Sequence, residues 1–287
     1  MKTDLLQQIR ADMPSFSKGQ KMIGAYILEH YDKAAYLTAA RMGAIVGVSE
    51  STVVRFAIEL GYSGYPEFQH SLREMIRNRL TTVQRIEVTN NLIGDGNVLD
   101  KILMADADRI RRTMEEIDHA SFDEAIRQIV AAKNIYILGM RSSATLAGFL
   151  NYNFRMIFDN VKLVKTTSSS DMFEQIMQVK EGDVMIAISF PRYSKRIINA
   201  VEYARSKNAN VVALTDSPQS PIAAFANQLL VAQSDMVSFV DSLAAPLSIV
   251  NAMIAAVSRV KQEDLTQRLH ALEEVWDRYD VYAKRHD

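Results

Sequence analysis

The chain has 287 residues, of which 48% are hydrophobic and 23% charged, and its formal net charge is −1. This composition is typical of a soluble globular protein that is long enough for two domains, and it argues against a generally basic nucleic-acid binder. The sequence contains no cysteine, which excludes disulfides, thiol catalysis and cysteine-ligated zinc.

The start of the chain predicts neither export nor membrane insertion. Asp4 and Gln7–Gln8 interrupt any apolar stretch, which argues against a secretory signal. No run of about 18 apolar residues could span a bilayer. We therefore expect a cytoplasmic protein.

Residues 1–80 predict an all-helical domain, in which apolar residues such as Met22, Tyr26 and Ile27 recur at helical spacing. This region carries ten Lys and Arg against eight Asp and Glu, so it is net +2 and the remainder of the chain is net −3. The asymmetry has the sign expected of an N-terminal DNA-binding domain, but it is too small to decide the question alone.

The stretch from Thr38 to Phe56, TAARMGAIVGVSESTVVRF, predicts a helix, a tight turn and a second helix. Gly43 lets two helices cross closely, Gly47 takes a positive φ at low cost, and Ser49 caps the second helix. A helix-turn-helix places its second helix in the DNA major groove. The motif therefore predicts binding to double-stranded DNA, with a protein-only helical hairpin as the alternative.

The predicted second helix buries Val53 and Phe56 and exposes a face that begins with hydroxyl side chains. Hydroxyls near the helix start can bond phosphates or base edges, and Arg55 can reach a guanine bidentately. Lysines of a preceding helix can contact phosphate, or they can simply form a solvated face. The candidate DNA-binding residues are Ser49, Ser51, Thr52, Arg55, Lys18 and Lys21.

A turn at 61–66 and a helix from Pro66 to about Arg79 complete this predicted domain. Segment 81–96 contains TNN and GDG and predicts a linker, followed by helices over 98–117 and 122–132. We therefore divide the chain into a DNA-binding domain at 1–80, a linker and connecting helix at 81–120, and a second domain at 121–287.

From Asn134 onward, short apolar runs alternate with helical segments. The runs lie at 135–138, 161–164, 184–188, 211–214 and 229–231. This alternation predicts a doubly wound parallel sheet with both faces covered, so the fold class is α followed by α/β. Ligands of such sheets bind at the carboxyl ends of the strands.

Four predicted loops at that edge are rich in hydroxyls: GMRSS at 139–143, TTSSSD at 166–171, SFPRYS at 189–194 and TDSP at 215–218. Hydroxyl-rich turns are also ordinary capping chemistry, but four at one edge favour a polar pocket. Arginine binds phosphate bidentately, so a phosphorylated sugar or polyol fits. The candidate ligand-binding residues are Arg141, Ser142, Ser143, Ser168, Ser189, Arg192, Tyr193, Ser194 and Thr215.

The chain is predicted to be helical from about Ser242 to near its end. Leucines and aromatic residues there recur at spacings of four, three, four and three, which is the period of a helix seam. The seam could pack on its own domain or on a second copy. Its members are Leu265, Leu269, Leu272, Trp276 and Tyr279.

The segments GVSESTVVRF and ELGYSGYPEF resemble the RpiR family of bacterial transcriptional regulators. The segments ILGMRSSATLA, DVMIAISFPRYSKRIINAVEYA and VVALTDSPQSPIAAFA resemble the flavodoxin-like SIS (sugar isomerase) domain that these regulators carry. The resemblance covers nearly the whole chain, in the family's domain order. It implies a regulator of carbohydrate metabolism genes, more often a repressor, that senses a sugar phosphate. It also implies a homodimer or homotetramer on an operator with an inverted repeat.

Two loops depart from the usual SIS pattern. The family commonly has Ser-x-Ser-Gly-x-Thr after the third strand, whereas Ser189 is followed here by Pro191, Arg192 and Tyr193, and proline has no N–H to donate. In the first loop Arg141 stands where a second glycine is common. Either the arginines replace the lost donors or the ligand lacks phosphate.

A phosphosugar isomerase with a helical appendage is the alternative function, and a structural or protein-binding role is a third. Isomerisation needs a general base near the substrate carbon, and the four loops contain no His and no Glu. Asp171 and Asp216 stand where they can cap turns or helices. A GxGxxG fingerprint and paired metal-binding histidines are absent, so we expect no cofactor or metal.

Overall fold

The structure is a computed structural model that describes residues 5–77, 80–93, 97–165, 167–236 and 238–282. The chain separates into two compact units. The N-terminal unit comprises Met1–Lys101 and Met236–Asp241, and the C-terminal unit comprises Ile102–Asp235 and Ser242–Asp287. Parts of the predicted helix (78–79), linker (94–96), second loop (Thr166) and C-terminal end (283–287) lie outside the described residues.

The N-terminal unit is helical, as the apolar periodicity predicts. Its helices are α1 (Leu5–Asp12), α2 (Lys18–Glu29), α3 (Tyr31–Ala34), α4 (Ala39–Val46), α5 (Glu50–Glu59), α6 (Tyr65–Arg77) and α7 (Thr82–Ile93).

The core of this unit is built from the apolar faces of the helices. Phe56 of α5 lies at its centre, with ring centroids 5.1 Å from Phe16 and 5.8 Å from Phe68. Tyr65 donates a hydrogen bond of 2.7 Å from its hydroxyl to the carbonyl of Leu37, and burial raises the pKa of this phenol to about 12. The hydroxyl therefore stays protonated and ties α6 to the segment before α4.

Helix α7 occupies a segment that the sequence predicts to be a linker. Its Arg85 is buried and pairs with Asp241 at 3.1 Å. Thr89, one turn on, donates a hydrogen bond of 3.1 Å to the carbonyl of Ser238. Residues 236–241, far away in sequence, therefore pack on α7 and complete this unit, and Met236 joins its hydrophobic core.

The connecting helix α8 (Val98–Glu116) runs from the N-terminal into the C-terminal unit. The remaining elements are α9 (His119–Ala131), β1 (Ile135–Gly139), α10 (Ser142–Ile157), β2 (Val161–Leu163), α11 (Ser169–Ile176), β3 (Val184–Ile188), α12 (Lys195–Ser206), β4 (Asn210–Thr215), a short 3₁₀ helix (Ala223–Phe225), β5 (Gln228–Val231), α13 (Ala244–Val260) and α14 (Gln262–Arg278).

The five strands form one parallel sheet in the order β2-β1-β3-β4-β5. Residues of β1 alternate between the two faces: Ile135 and Ile137 pack with α9, α10 and α13, whereas Tyr136 and Leu138 pack with α11 and α12. Because both faces are covered, β1 and β3 are buried along their full length. The predicted doubly wound α/β fold is confirmed, and the loops that follow β1 to β4 lie at one edge.

The C-terminal seam packs only partly within its own unit, since α14 has no fully buried residue and Tyr279 is 71% exposed. Leu272 and Trp276 of α14 line a groove of about 550 Å³ together with Tyr152 and Met156 of α10. Leu265 packs against the hydrophobic core on the same side of the sheet. Arg268 of α14 also donates a hydrogen bond to the carboxylate of Asp159, and this bond lowers the pKa of Asp159.

Candidate functional site

The helix-turn-helix has the geometry that its residues predict. Gly47 ends α4 in the left-handed conformation, with φ 78° and ψ 35°, and Ser49 caps α5 by accepting a hydrogen bond of 3.3 Å from the Thr52 amide. A Cβ on Gly43 would lie 2.7 Å from the backbone carbonyl oxygen of Val48. The turn therefore requires glycine at 43 for space and favours glycine at 47 for its backbone angle.

Helix α5 begins with polar side chains, and one face of its remaining turns is buried. Val53, Phe56 and Ala57 are fully buried, which fixes the rotation of the helix about its axis. The Ser49 hydroxyl lies 2.9 Å from the Ser51 hydroxyl and 2.8 Å from the Thr52 hydroxyl. Three hydroxyls thus cluster at the amino end of the helix, where backbone N–H groups and the helix dipole favour an anion.

Arg55 is exposed on the same face of α5. Its Nε donates a hydrogen bond of 3.2 Å to the carbonyl of Ser51, so the guanidinium extends toward the hydroxyl cluster. Its two terminal nitrogens are in the fork geometry that can bind a phosphate or the edge of a guanine.

The amino end of α2 lies beside that of α5. A Cβ on Gly19 would be 3.2 Å from Cγ2 of Thr52, so the predicted phosphate contacts Lys18 and Lys21, both exposed, flank the point where the two helices meet. A groove of about 610 Å³ between the helices includes Ser17 and Gln20 with Thr52 and Arg55.

Ser17 was not among the predicted contacts. It caps α2 in a capping box with Gln20, and the spacing S-x-x-Q at 17–20 is the signal that could have identified this helix start. Two helix amino ends, those of α2 and α5, therefore line one groove.

At the sheet edge, β1 turns sharply into α10. A Cβ on Gly139 would lie 2.5 Å from the carbonyl oxygen of Ser143, so only glycine fits. Arg141 has φ 56° and ψ −127° and caps α10 without a side-chain hydrogen bond. The first N–H groups of α10 are thus left without a side-chain cap, while Ser143 is buried and Arg141 and Ser142 are exposed.

Hydrogen bonds tie the loop after β3 to both neighbouring loops. The Tyr193 hydroxyl donates to Oδ1 of Asp216 at 2.8 Å, and Oγ of Ser194 lies 3.1 Å from Sδ of Met140. The amide of Ser189 bonds the carbonyl of Leu214 at 3.0 Å. The loops that follow β1, β3 and β4 are therefore in contact, as the parallel sheet predicts.

The loop after β2 reaches the same edge but contributes differently. Arg196 of α12 donates a hydrogen bond of 3.4 Å to the carbonyl of Thr167. A groove of about 330 Å³ between the ends of β1 and β2 is lined by Gly139 and Ala144 with Lys165 and Thr167. Ser168 caps α11 by accepting from the Asp171 amide at 3.0 Å, so its hydroxyl is already used structurally.

Burial separates the predicted ligand-binding residues into two groups. Ser143, Ser189 and Thr215 are buried behind the edge, with exposed fractions of 4%, 2% and 0%, whereas Arg141 and Arg192 are exposed at its rim. The predicted ligand-binding residues therefore divide into a buried set of hydroxyls and an exposed pair of arginines.

Sequence reasoning missed three side chains at this edge, those of Met140, Lys165 and Arg196. Lys165 could have been identified, because it directly follows the predicted second strand and therefore had to lie near the other loops. Arg196 follows a helix start, and only the folded chain shows that it returns to the second loop.

The two carboxylates at this edge accept hydrogen bonds from neighbouring side chains. Asp216 accepts from Tyr193 and from Thr215, and Asp171 accepts from Thr167 at 2.6 Å, so both carboxylates are engaged by neighbouring hydroxyls. Within the described ranges, no group of three or more His, Asp or Glu side chains could hold a metal ion. None of the helices in those ranges is long and apolar enough to cross a membrane.

Family models match both parts of the chain. Residues 3–79 match a helix-turn-helix domain of the rpiR family, and residues 128–256 match the SIS domain.

Similar proteins include the HTH-type transcriptional regulator HexR of Escherichia coli, which is 28% identical over 222 residues, covering 77% of this chain and 74% of HexR. An uncharacterised HTH-type transcriptional regulator of Caldanaerobacter subterraneus is 24% identical over 283 residues. The match covers 95% of this chain and 97% of that protein.

Among solved structures, the NanR protein of Vibrio vulnificus, complexed with ManNAc-6P, has a TM-score of 0.60 at 22% identity. The match covers 98% of this chain and all of that one. At this identity the likeness concerns the fold. Together with the two domain matches and the order of the domains, these findings identify the chain as an RpiR-type helix-turn-helix transcriptional regulator with a C-terminal SIS domain.

Proposed function

We propose that this regulator binds an operator through α5 and the start of α2, and that a sugar phosphate bound at the sheet edge changes its affinity for the operator. The observation that carries the proposal is the meeting of buried hydroxyls, exposed arginines and two helix starts without side-chain caps at one edge, in a chain with an rpiR-type helix-turn-helix.

The DNA-binding half rests on the amino ends of α2 and α5. Ser49, Ser51 and Thr52 form a hydroxyl cluster beside Arg55. Phosphate contacts from hydroxyls and helix amino ends set the position of a protein on DNA, and arginine reads guanine. Lys18 and Lys21 add charge to the same side, so we assign them to phosphate.

The ligand-binding half rests on the starts of α10 and α12. Both helices begin without a side-chain cap. In α10 the amides of Ser143 and Ala144 already bond the carbonyls of Met140 and Arg141, so we assign the anion mainly to the start of α12. Pro191 removes one donor from the β3 loop, and we assign Arg141 and Arg192 to replace it at the phosphate. The buried hydroxyls of Ser143 and Ser189 then face the sugar. That NanR was solved with ManNAc-6P supports this class of ligand.

We propose that the SIS domain binds its ligand without converting it. The relatives are named as regulators, and both carboxylates of the edge are engaged by hydroxyls. The isomerase alternative makes a different prediction, namely conversion of an aldose phosphate to its ketose isomer by the purified protein. Turnover that Ser143→Ala abolishes would establish it.

The DNA-binding half is tested by titrating operator DNA against scrambled DNA at one near-physiological salt concentration. We expect Arg55→Ala to lower operator affinity by roughly 5- to 150-fold, the equivalent of about 1–3 kcal/mol for one bidentate base contact. Arg127→Ala, which removes the same charge from the exposed surface of α9, should leave the affinity unchanged. Equal losses of operator affinity in both variants would show that Arg55 acts only through its charge and makes no specific base contact.

The ligand-binding half is tested by thermal shift and calorimetry with a panel of hexose, pentose and amino-sugar phosphates. Ser143→Ala should weaken the binding of the active compound, while Ser206→Ala, at the far end of α12, should not. If the double variant Ser143→Ala and Arg141→Ala binds the active compound as tightly as the wild type, the assignment of the ligand to this edge is wrong.

A further inference from the structure

Helix α8 buries polar side chains and exposes apolar ones. The residues that it buries are polar, with Arg109 7% and Thr113 3% exposed, whereas Leu103 is 57%, Ile110 41% and Met114 63% exposed. A surface helix normally turns its apolar side toward the core and its charged side toward water. The apolar side of α8 is therefore exposed and is available for contact with another molecule.

Specific hydrogen bonds hold α8 in this orientation. Asp106 accepts from Ser242 at 2.6 Å and from Arg109 at 3.0 Å, and the Thr113 hydroxyl accepts from the amide of Gln233 at 2.9 Å. These partners belong to the C-terminal unit. The polar face is thus bonded to Gln233 and Ser242. These bonds fix the rotation of α8 about its axis, so the apolar side chains that flank the polar face stay exposed.

Five of the exposed side chains of α8 share one face, which we call the α8 stripe. Leu99, Leu103, Ala107, Ile110 and Met114 are spaced four, four, three and four residues apart and share one face over four turns of the helix. Leu99 is 64% exposed. Side chains at this spacing can interdigitate with those of a facing helix that has the same pattern.

We propose that the α8 stripe is covered by the α8 stripe of a second copy of this chain, in antiparallel pairing with a two-fold axis beside Ala107, between positions 106 and 107. In that register Leu103 of each copy meets Ile110 of the other, and Leu99 meets Met114. Ala107, the smallest side chain of the stripe, lies at the crossing, where two helices must approach most closely.

Charge complementarity favours this register. Asp100 and Arg111 lie along the solvent side of the stripe, and Arg111 is exposed. Antiparallel pairing brings the same side of both helices together, so Arg111 of one copy lies beside Asp100 of the other. The Arg111 guanidinium, which bonds Asp108 within its own helix, can bridge both carboxylates.

The proposal deepens the proposed function, because it names the surface through which two copies read an inverted repeat. A helix-turn-helix dimer reads two half-sites whose spacing follows the two-fold symmetry of the protein, and a self-complementary surface is what a two-fold contact requires. Helix α8 begins within the last residues of the N-terminal segment Met1–Lys101, so pairing at this helix joins the two copies close in sequence to their helix-turn-helix motifs.

The absence of cysteine from the sequence allows a direct test by disulfide trapping in the full-length protein without DNA. Ala107→Cys places a thiol beside the proposed axis, where it meets its own counterpart, and Arg112→Cys places one on the opposite, exposed side of α8. We expect the Ala107→Cys disulfide dimer to form at least about tenfold faster, because disulfides need Cβ atoms about 4 Å apart.

Sedimentation of Ile110→Glu provides the second readout. A carboxylate within the α8 stripe should lower dimer affinity, and Arg112→Glu, a matched change off the stripe, should not. Equal trapping rates at 107 and 112 would overturn the proposal, as would a wild-type monomer or a dimer in which Ala107→Cys does not trap. These readouts are independent of DNA, so trapping without operator binding would refute the proposed function and leave the α8 contact standing.

Discussion

Two arginines at the sheet edge have backbone angles that favour glycine. Arg141 has φ 56° and Arg192 has φ 64°, and both lie in loops to which we assign the ligand. A non-glycine residue in such a conformation costs of order 1–3 kcal/mol. The chain keeps an arginine at both positions, which fits a functional need for the guanidinium.

Replacement of Arg141 by glycine should therefore separate stability from binding. We expect Arg141→Gly to raise the free energy of unfolding by about 1 kcal/mol, because glycine adopts this conformation without strain, and to weaken sugar phosphate binding. Arg127→Gly, the same change inside α9, should lower stability by about 1 kcal/mol. Chemical denaturation of both variants measures the difference, and a loss of stability in Arg141→Gly would contradict the account.

Gly43 is the residue on which the helix-turn-helix most depends for space. We expect Gly43→Ala to lower stability by about 1–3 kcal/mol and to weaken operator binding, because its Cβ would press on the Val48 carbonyl at 2.7 Å. Gly148→Ala in α10 is the matched control: its Cβ meets nothing within 4 Å. It should stabilise the protein by about 0.5–1 kcal/mol. Thermal melting and operator titration of both variants check the pair.

At the scale of elements, the packing of residues 236–241 on α7 rests on a buried ion pair. Breaking a buried pair from one side leaves an uncompensated charge and costs about 3–5 kcal/mol. We expect Arg85→Ala to destabilise the N-terminal unit by this amount, whereas Arg127→Ala, which breaks an exposed pair, should cost at most about 1 kcal/mol.

The two units can be followed separately in this measurement. The single tryptophan, Trp276, lies in α14 of the C-terminal unit, while helical circular dichroism also reports the N-terminal unit. Urea unfolding of Arg85→Ala should shift the dichroism transition to lower urea and leave the tryptophan transition in place. A shift of the tryptophan transition alone would contradict the assignment of residues 236–241 to the N-terminal unit.

The strands and the helix-turn-helix could be predicted because their signals are local. Strands β1 and β3 are uninterrupted apolar runs between turn residues, and Gly43, Gly47 and Ser49 each act within one turn. Helix α7 was missed because Thr89 and Asn90 lower helix propensity, and because its Arg85 pairs with Asp241, far away in sequence. No local pattern could indicate that contact.

The candidate site was predictable to the level of its loops. Parallel strands bring their carboxyl ends to one edge, so the four loops had to meet. Their internal bonds were not predictable: the Tyr193–Asp216 bond joins residues 23 positions apart. The use of Ser168 as a cap competes with its predicted role. The backbone angles of Arg141 and Arg192 also depend on the folded turns.

For the whole molecule, the chain passes between its two units three times, after Lys101, before Met236 and after Asp241. The last two crossings flank a segment that is bonded to α7 in one unit, and its neighbours Gln233 and Ser242 are bonded to α8 in the other. A change in the C-terminal unit therefore has two covalent routes to the helix-turn-helix. A ligand can use them only if it binds one arrangement more tightly than the other.

The central claim is that a sugar phosphate at the sheet edge and an operator at α5 are energetically coupled. The most direct test measures operator affinity with and without the active sugar phosphate, and sugar phosphate affinity with and without operator, at one salt concentration. We predict the same change in both directions, within the 5- to 150-fold range typical of coupled sites. No change in either affinity, with both partners bound at their assigned sites, would contradict the account.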